Sequence, residues 1–305
     1  MRSAEEQNTQ EDTPEQASGT GKKQPGSLVQ RWLTAIVGIP IVVILAWLGG
    51  WWIFALLVLI TLLGIYEFYR MLLHVGYHPV MWMSLGLSLL FLLAAMFSHW
   101  RLLLLETGLS ASLLVTFPVL FARKEHDGSL VDWALTVAIP IYLGWPLSLF
   151  LLLRGFQPGW PFAHAPWWVL PRGLWWVLIV LFGVWGSDTG AFFTGRLIGR
   201  HKLAPHISPG KTWEGLFGGF VLGTTATIVF SIPLGIPWYL AITLGALISI
   251  AAVLGDLAES LIKRQTHVKD SGNLFPGHGG VLDRVDSLLF AVMVVYFFSL
   301  CVGKS

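Results

Sequence analysis

The chain has 305 residues, 55% of them hydrophobic and only 12% charged, with a formal net charge of +2. That balance excludes an ordinary soluble domain and leaves the placement of the charges, not their sum, as the informative feature. A single cysteine, Cys301, excludes a disulfide framework and a cysteine-based metal site.

Residues 1–27 are polar, rich in Pro, Gly, Ser and Gln, and poor in large apolar side chains. They cannot bury enough surface to fold alone and read as a disordered tail. Acidic residues lead and no apolar core precedes a cleavage site, so the segment is neither a signal peptide nor an Arg-rich transit sequence. Nine apolar spans follow, at 32–48, 51–69, 80–97, 102–121, 134–153, 173–193, 216–233, 238–258 and 281–301. The expected fold is therefore an all-α, polytopic helical membrane protein with about nine transmembrane helices. Gly49-Gly50 and Gly235-Ile236-Pro237 make tight turns between neighbouring spans. Trp51-Trp52, Trp167-Trp168 and Trp175-Trp176 crowd span ends, as an aromatic belt does.

Lys and Arg set the orientation. With a cytoplasmic N-terminus, fifteen of them fall on inside segments and four on outside ones, Arg101, Arg154, Arg172 and Lys304. The chain divides into the tail (1–27), the first five spans (28–172) and a candidate catalytic region (173–305). Two long cytoplasmic connections, 194–215 and 264–280, lie in that last region.

Ionisable groups in membrane spans are costly, so each is a candidate site. Asp188 lies near the cytoplasmic end of the sixth span, Asp256 and Glu259 at the same end of the eighth, and Asp283 and Asp286 open the ninth. An i, i+3 pair shares one helix face, so Asp283 and Asp286 can address a common guest. Asp256, Ser260 and Lys263 fall on another single stripe. Paired carboxylates repel; Mg²⁺, which takes one or two carboxylates with phosphate oxygens and water, removes the conflict. Helix capping, at about 0.3–1 kcal/mol, accounts for Asp283 alone but not for acids at helix C-terminal ends, where the dipole opposes them. Glu67, near the end of the second span, is expected to pair with Arg70 at i, i+3.

From Thr189 to Trp213 the chain has no acid but carries Arg196, Arg200, Lys202 and Lys211, with His201 and His206. Lys263, Arg264 and Lys269 flank the other connection. Cations beside carboxylates suit a metal–triphosphate guest, although cytoplasmic loops are basic for topology as well. Gly210-Lys211-Thr212 is not a P-loop, because Pro205 stands where the first glycine belongs and no strand precedes it. His278-Gly279-Gly280 reads as a loop whose backbone approaches a phosphate at a helix N-terminus.

Ser260-Leu261-Ile262-Lys263-Arg264, then Lys269-Asp270, Gly272, Pro276, His278-Gly279-Gly280 and Asp283-Arg284-Val285-Asp286 together resemble the signature of the phosphatidate cytidylyltransferases, or CDP-diacylglycerol synthases. The likeness runs unbroken over 27 residues, 260–286. Upstream, Ser187-Asp188-Thr189-Gly190, Gly199-Arg200-His201-Lys202-Leu203-Ala204-Pro205 and Ser208-Pro209 followed by Lys211-Thr212-Trp213-Glu214-Gly215 resemble the family's other stretch. Gly210 departs from it, standing where relatives often carry Lys. In the early spans only the Tyr66-Glu67-Phe68-Tyr69-Arg70-Met71 ending is similar.

The resemblance implies an enzyme that joins CTP to phosphatidic acid, giving CDP-diacylglycerol and pyrophosphate at a Mg²⁺-dependent centre sometimes paired with K⁺. Carried over by position, Asp256, Asp283 and Asp286, with Asp188, become the metal-holding acids. Lys263, Arg264, Lys269, Asp270, His278 and Arg284 join them as the catalytic set. Arg196, Lys202, Ser208, Lys211, Thr212, Gly279 and Gly280 become substrate-binding residues. CTP, phosphatidic acid and membrane lipids are the expected partners, no nucleic acid is, and a homodimer is left open. The expected location is a bacterial inner (plasma) membrane with the site facing the cytoplasm. A CTP-dependent lipid kinase or CDP-archaeol-type enzyme, an ion-coupled transporter and a membrane scaffold are the competing readings.

Overall fold

The computed structural model describes residues 26–124, 127–155, 170–272, 274 and 279–302. Most of the expected tail, the Trp167-Trp168 pair, Pro276 and His278 lie outside the described residues. Every one of the nine apolar spans falls on a helical segment. These are α1 (Gly26–Leu48), α2 (Gly50–His74), α3 (Met81–Met96), α4 (Arg101–Phe121), the consecutive pair α5 (Ser129–Ile139) and α6 (Trp145–Gly155), α7 (Arg172–Ile198), α8 (Trp213–Ser231), α9 (Trp238–Gln265) and α10 (Leu282–Val302). Seven of the segments are long and apolar enough to cross a membrane; the apolar part of α1, Ile36–Leu48, and α3 are shorter. Leu102, Leu114, Phe121, Leu197 and Trp238 are each more than two thirds exposed. Such a surface suits hydrocarbon rather than water. The protein is an all-α polytopic membrane protein.

Several boundaries follow from backbone chemistry. Gly49 and Gly50 both take positive φ, which lets α1 reverse into α2 through Gly49 alone. Pro140 offers no N–H to the helical ladder, and the fifth span widens into a π turn over Pro140–Gly144 between α5 and α6. The expected connection 194–215 is shorter than its polar sequence suggests, because α7 runs on to Ile198 and α8 starts at Trp213. Between them lies the only regular non-helical element among the described residues, an antiparallel hairpin of β1 (Lys202–Ala204) and β2 (Ser208–Thr212). Likewise α9 extends to Gln265, inside the expected 264–280 connection.

Small residues bring the last four helices together. Without a hydrophobic drive between helices in lipid, close backbone approach supplies the packing. A β-carbon at Gly190 of α7 would strike the Gly218 carbonyl of α8, and one at Gly255 of α9 would strike the Asp286 carbonyl of α10. Leu143, Ile179, Leu244, Ile248 and Leu289 fill the core of the bundle without exposure. At the far end, Arg154 donates to the Ala46 and Trp47 carbonyls at 2.7 and 2.8 Å, tying α6 to the last turn of α1.

Candidate active site

The acids of three helices meet at one end of the bundle. Asp188 of α7, Asp256 of α9 and Asp286 of α10 lie within electrostatic reach of one another, with Lys211 and Arg284 beside them. Glu259, one turn along α9 from Asp256, joins them. It is 1% exposed and lies beside Asp286.

Asp283 is held more tightly than its neighbours. Its Oδ1 receives Lys263 Nζ at 2.5 Å. Its Oδ2 receives the Ser271 amide at 2.9 Å, the Ser271 hydroxyl at 2.8 Å and the Gly280 amide at 2.8 Å. Gly279 takes φ 79° there, and a β-carbon on it would press on the Asp283 carboxylate. Lys263 also donates to Glu259 Oε2 at 2.7 Å, so one ammonium serves two acids on two helices.

The hairpin delivers a further cation. Lys211 Nζ is 3.0 Å from Asp256 Oδ2 and 3.2 Å from the Val253 carbonyl, while Ser260 donates to Asp256 Oδ1 at 3.2 Å. Arg264 donates to the Ile207 carbonyl at 3.2 Å, docking the end of α9 on the hairpin turn. Thr212 caps α8 by accepting from the Gly215 amide at 3.1 Å, and Ser208 pairs with Ala204 in the hairpin. Glu214 accepts from the Arg200 and His201 amides and from His201 Nδ1, the last at 2.6 Å, which fixes where the hairpin leaves the helix.

Other expected members stand apart. Arg196 is exposed and lies over the Phe192 ring at 6.0 Å. Lys202 faces outward from β1, and Lys269 and Asp270 are exposed beyond α9.

Beneath the acids a cavity of about 450 Å³ runs between α1, α2, α6, α7 and α10. Its walls are apolar, from Val42, Leu57, Phe150, Val177 and others, and its end is polar, with Asp188, Asp283, Arg284 and Asp286. Both halves of the chain line it.

Sequence reasoning placed Glu67 wrongly. It does not pair with Arg70, whose guanidinium lies over the Tyr66 ring at 5.9 Å. Glu67 instead accepts from the Val281 and Leu282 amides at 2.9 and 3.0 Å and from the Ser271 hydroxyl at 3.1 Å. Ser271 also went unrecognised, and no local spacing could have paired either residue with its partner.

Among the described residues no three carboxylates or imidazoles close around one point. Asp256 and Asp286 offer the two carboxylates that Mg²⁺ ordinarily takes, with the remaining positions left to phosphate and water. The chemistry of that donor set fits such an ion. Asp283 would enter it only by giving up one of its present donors.

Ionisable groups gathered at the end of a membrane bundle, with cations beside them and an apolar cavity below, mark this region as the candidate active site. The chain belongs to the cytidylyltransferase family, whose model matches residues 29–302, and it is a membrane nucleotidyltransferase. A phosphatidate cytidylyltransferase of Synechocystis sp. is 34% identical over 291 residues, 88% of this chain and 95% of that protein. The Bacillus subtilis protein of the same name is 46% identical over 116 residues, 37% of this chain and 43% of its own. That of Pseudomonas aeruginosa is 39% identical over 156 residues, 48% and 54%.

Proposed function

We propose that the protein condenses CTP with phosphatidic acid to give CDP-diacylglycerol and pyrophosphate in phospholipid biosynthesis. The observation that carries this reading is the cavity whose apolar walls end on Asp188, Asp283, Arg284 and Asp286. Acyl chains suit the walls, and a phosphate suits the end where Arg284 stands.

A lipid phosphate oxygen is already a nucleophile, so proton transfer is not the obstacle; bringing two anions together is. In the proposed reaction that oxygen attacks the α-phosphorus of CTP, the bond from this phosphorus to the β-phosphate bridging oxygen breaks, and pyrophosphate leaves in line. Lys211 and Arg264 would spread the charge of the triphosphate, and Arg284 that of the lipid phosphate. Asp256 and Asp286 would hold Mg²⁺, with Asp283 and Asp188 beside them and Asp188 a candidate for a second cation such as K⁺. When bound, that ion supplies charge neutralisation for the triphosphate and the leaving group. No covalent intermediate is proposed, because the lipid phosphate oxygen is itself the nucleophile and a direct in-line transfer needs no second one. The site would face the cytoplasm of a bacterial inner membrane, with the hairpin and the end of α9 on that side.

The test is an assay of the purified protein in detergent with phosphatidate, titrated Mg²⁺, and CTP labelled either in the cytosine or at the γ-phosphate. Cytidine label in the lipid, dependent on the divalent ion and absent in Asp283→Asn with folding intact, is the expected result. Only γ-phosphate in the lipid would make the protein a lipid kinase instead.

A further inference from the structure

Glu67 belongs to the second helix, far in sequence from every residue of the acid cluster, yet it is 6% exposed and sits at the N-terminus of α10. No cation pairs with it among the described residues. Its charge rests on the Val281 and Leu282 amides, the Ser271 hydroxyl and the positive end of the α10 dipole. Burying a carboxylate is costly unless its hydrogen bonds are complete. Stabilising a helix end alone does not need that charge, since Ser, Thr or Asn caps as well.

Ser271-Gly272 on one side and Gly280-Val281-Leu282 on the other close on this carboxylate so tightly that a β-carbon at Gly272 or Gly280 would collide with it. The same residues turn further donors on Asp283: the Ser271 and Gly280 amides both meet Oδ2, and the single Ser271 hydroxyl proton is shared between Asp283 Oδ2 and Glu67. Ser271 Oγ thus stands between the two acids, 3.1 Å from Glu67 and 2.8 Å from Asp283. Gly64, one turn earlier on α2, lets Leu282 seat against the same helix.

We propose that Glu67 is a positioning residue, the anchor that holds Ser271 and the Gly280-Val281-Leu282 backbone in place so that Asp283 keeps a single orientation for catalysis. The proposal rests on the cytidylyl-transfer reading. It makes α2 a part of the working site, although the chemistry lies on α7, α9 and α10.

Glu67→Gln preserves the volume and one acceptor while removing the charge. In the detergent assay its kcat is expected to fall on the order of tenfold to 100-fold, as displacement of a reacting group by about an ångström does. The KM values for CTP and phosphatidate stay within about threefold, because no substrate contact is lost. Amide hydrogen exchange at Ser271, Gly280, Val281 and Leu282 quickens, while the melting temperature moves by only a few degrees. Arg70→Ala, which breaks only a ring contact, keeps full turnover. Ser271→Ala added to Glu67→Gln costs less than Ser271→Ala alone, because both act through the same anchor. Unchanged kcat in Glu67→Gln, or a loss that tracks unfolding, overturns the positioning role, as do additive losses in the double variant. A wild-type protein that moves no cytidine onto lipid sinks the reading of the activity; an active wild type beside an equally active Glu67→Gln sinks this inference alone.

Discussion

Lys263 and Asp283 meet across the α9–α10 interface at 2.5 Å, and the same ammonium reaches Glu259 at 2.7 Å. The lysine side chain is 14% exposed and the two acids 8% and 2%. A cation built into the chain is thus shared by two acids and offsets one of their two charges before any substrate arrives.

Removing that cation leaves two buried carboxylates facing each other. Lys263→Met is expected to destabilise the protein by about 3–5 kcal/mol and to abolish turnover. Adding Glu259→Gln removes the repulsion and restores much of the melting temperature, but not the activity, since Asp283 still lacks its partner. Thermal unfolding in detergent followed by the cytidine-incorporation assay separates the two effects. A Lys263→Met protein with wild-type stability would show that the ion triad contributes nothing to the fold.

Gly255 lies one residue before Asp256, against the Asp286 carbonyl and the Ser287 Cα. A methyl group there must push α9 away from α10, and overpacking of this kind costs about 1–3 kcal/mol. It also separates Asp256 from Asp286. Gly255→Ala is therefore expected to lose most of its turnover while keeping most of its fold. Gly86, with nothing near its β-position, is the control, and Gly86→Ala leaves both quantities unchanged. Equal turnover in the two variants would mean that the spacing of the two acids does not matter.

The apolar spans were legible because lipid demands about 20 consecutive apolar residues for a crossing helix, and nothing else in the chain imitates that. The acid cluster was legible for the related reason that charge in such a span is rarely tolerated without a use. Helix ends were less so: α7 and α9 continue past their apolar stretches, because backbone hydrogen bonding carries on into the polar boundary after the hydrophobic signal has stopped. The hairpin was hidden by Ser208-Pro209-Gly210, a composition that disfavours strands. In a ribbon of two strands both are edges, where proline is tolerated. The partners of Glu67 were out of reach altogether, since they lie 214 and 215 positions on.

Lys211 offers a test of what the hairpin is for. Its pairing with Asp256 is partly open to solvent, the acid's side chain being 39% exposed, and such a pair contributes at most about 1 kcal/mol to stability. A charge-assisted contact to a phosphate is worth about 1.5–3 kcal/mol. Lys211→Ala is thus expected to melt close to the wild-type temperature while its kcat/KM for CTP falls roughly 10-fold to 100-fold. Initial rates against CTP at saturating phosphatidate read this directly. An unchanged kcat/KM would assign Lys211 to holding the hairpin and nothing more.

The sidedness of the site follows from the same geometry. Glu67, at the end of α2, touches the start of α10, and Arg264, at the end of α9, touches the hairpin turn, so all these ends share one face. That face carries most of the Lys and Arg and is expected in the cytoplasm. Cys301 is the single cysteine, so Cys301→Ala gives a background free of thiols. Within it, His99→Cys, in the turn between α3 and α4, should react with a membrane-impermeant maleimide in right-side-out vesicles. Lys202→Cys, exposed on β1, should react only after the vesicles are opened. The reverse pattern would place the acid cluster on the outer side, where no cytosolic CTP could reach it, and the proposed reaction would have to be abandoned.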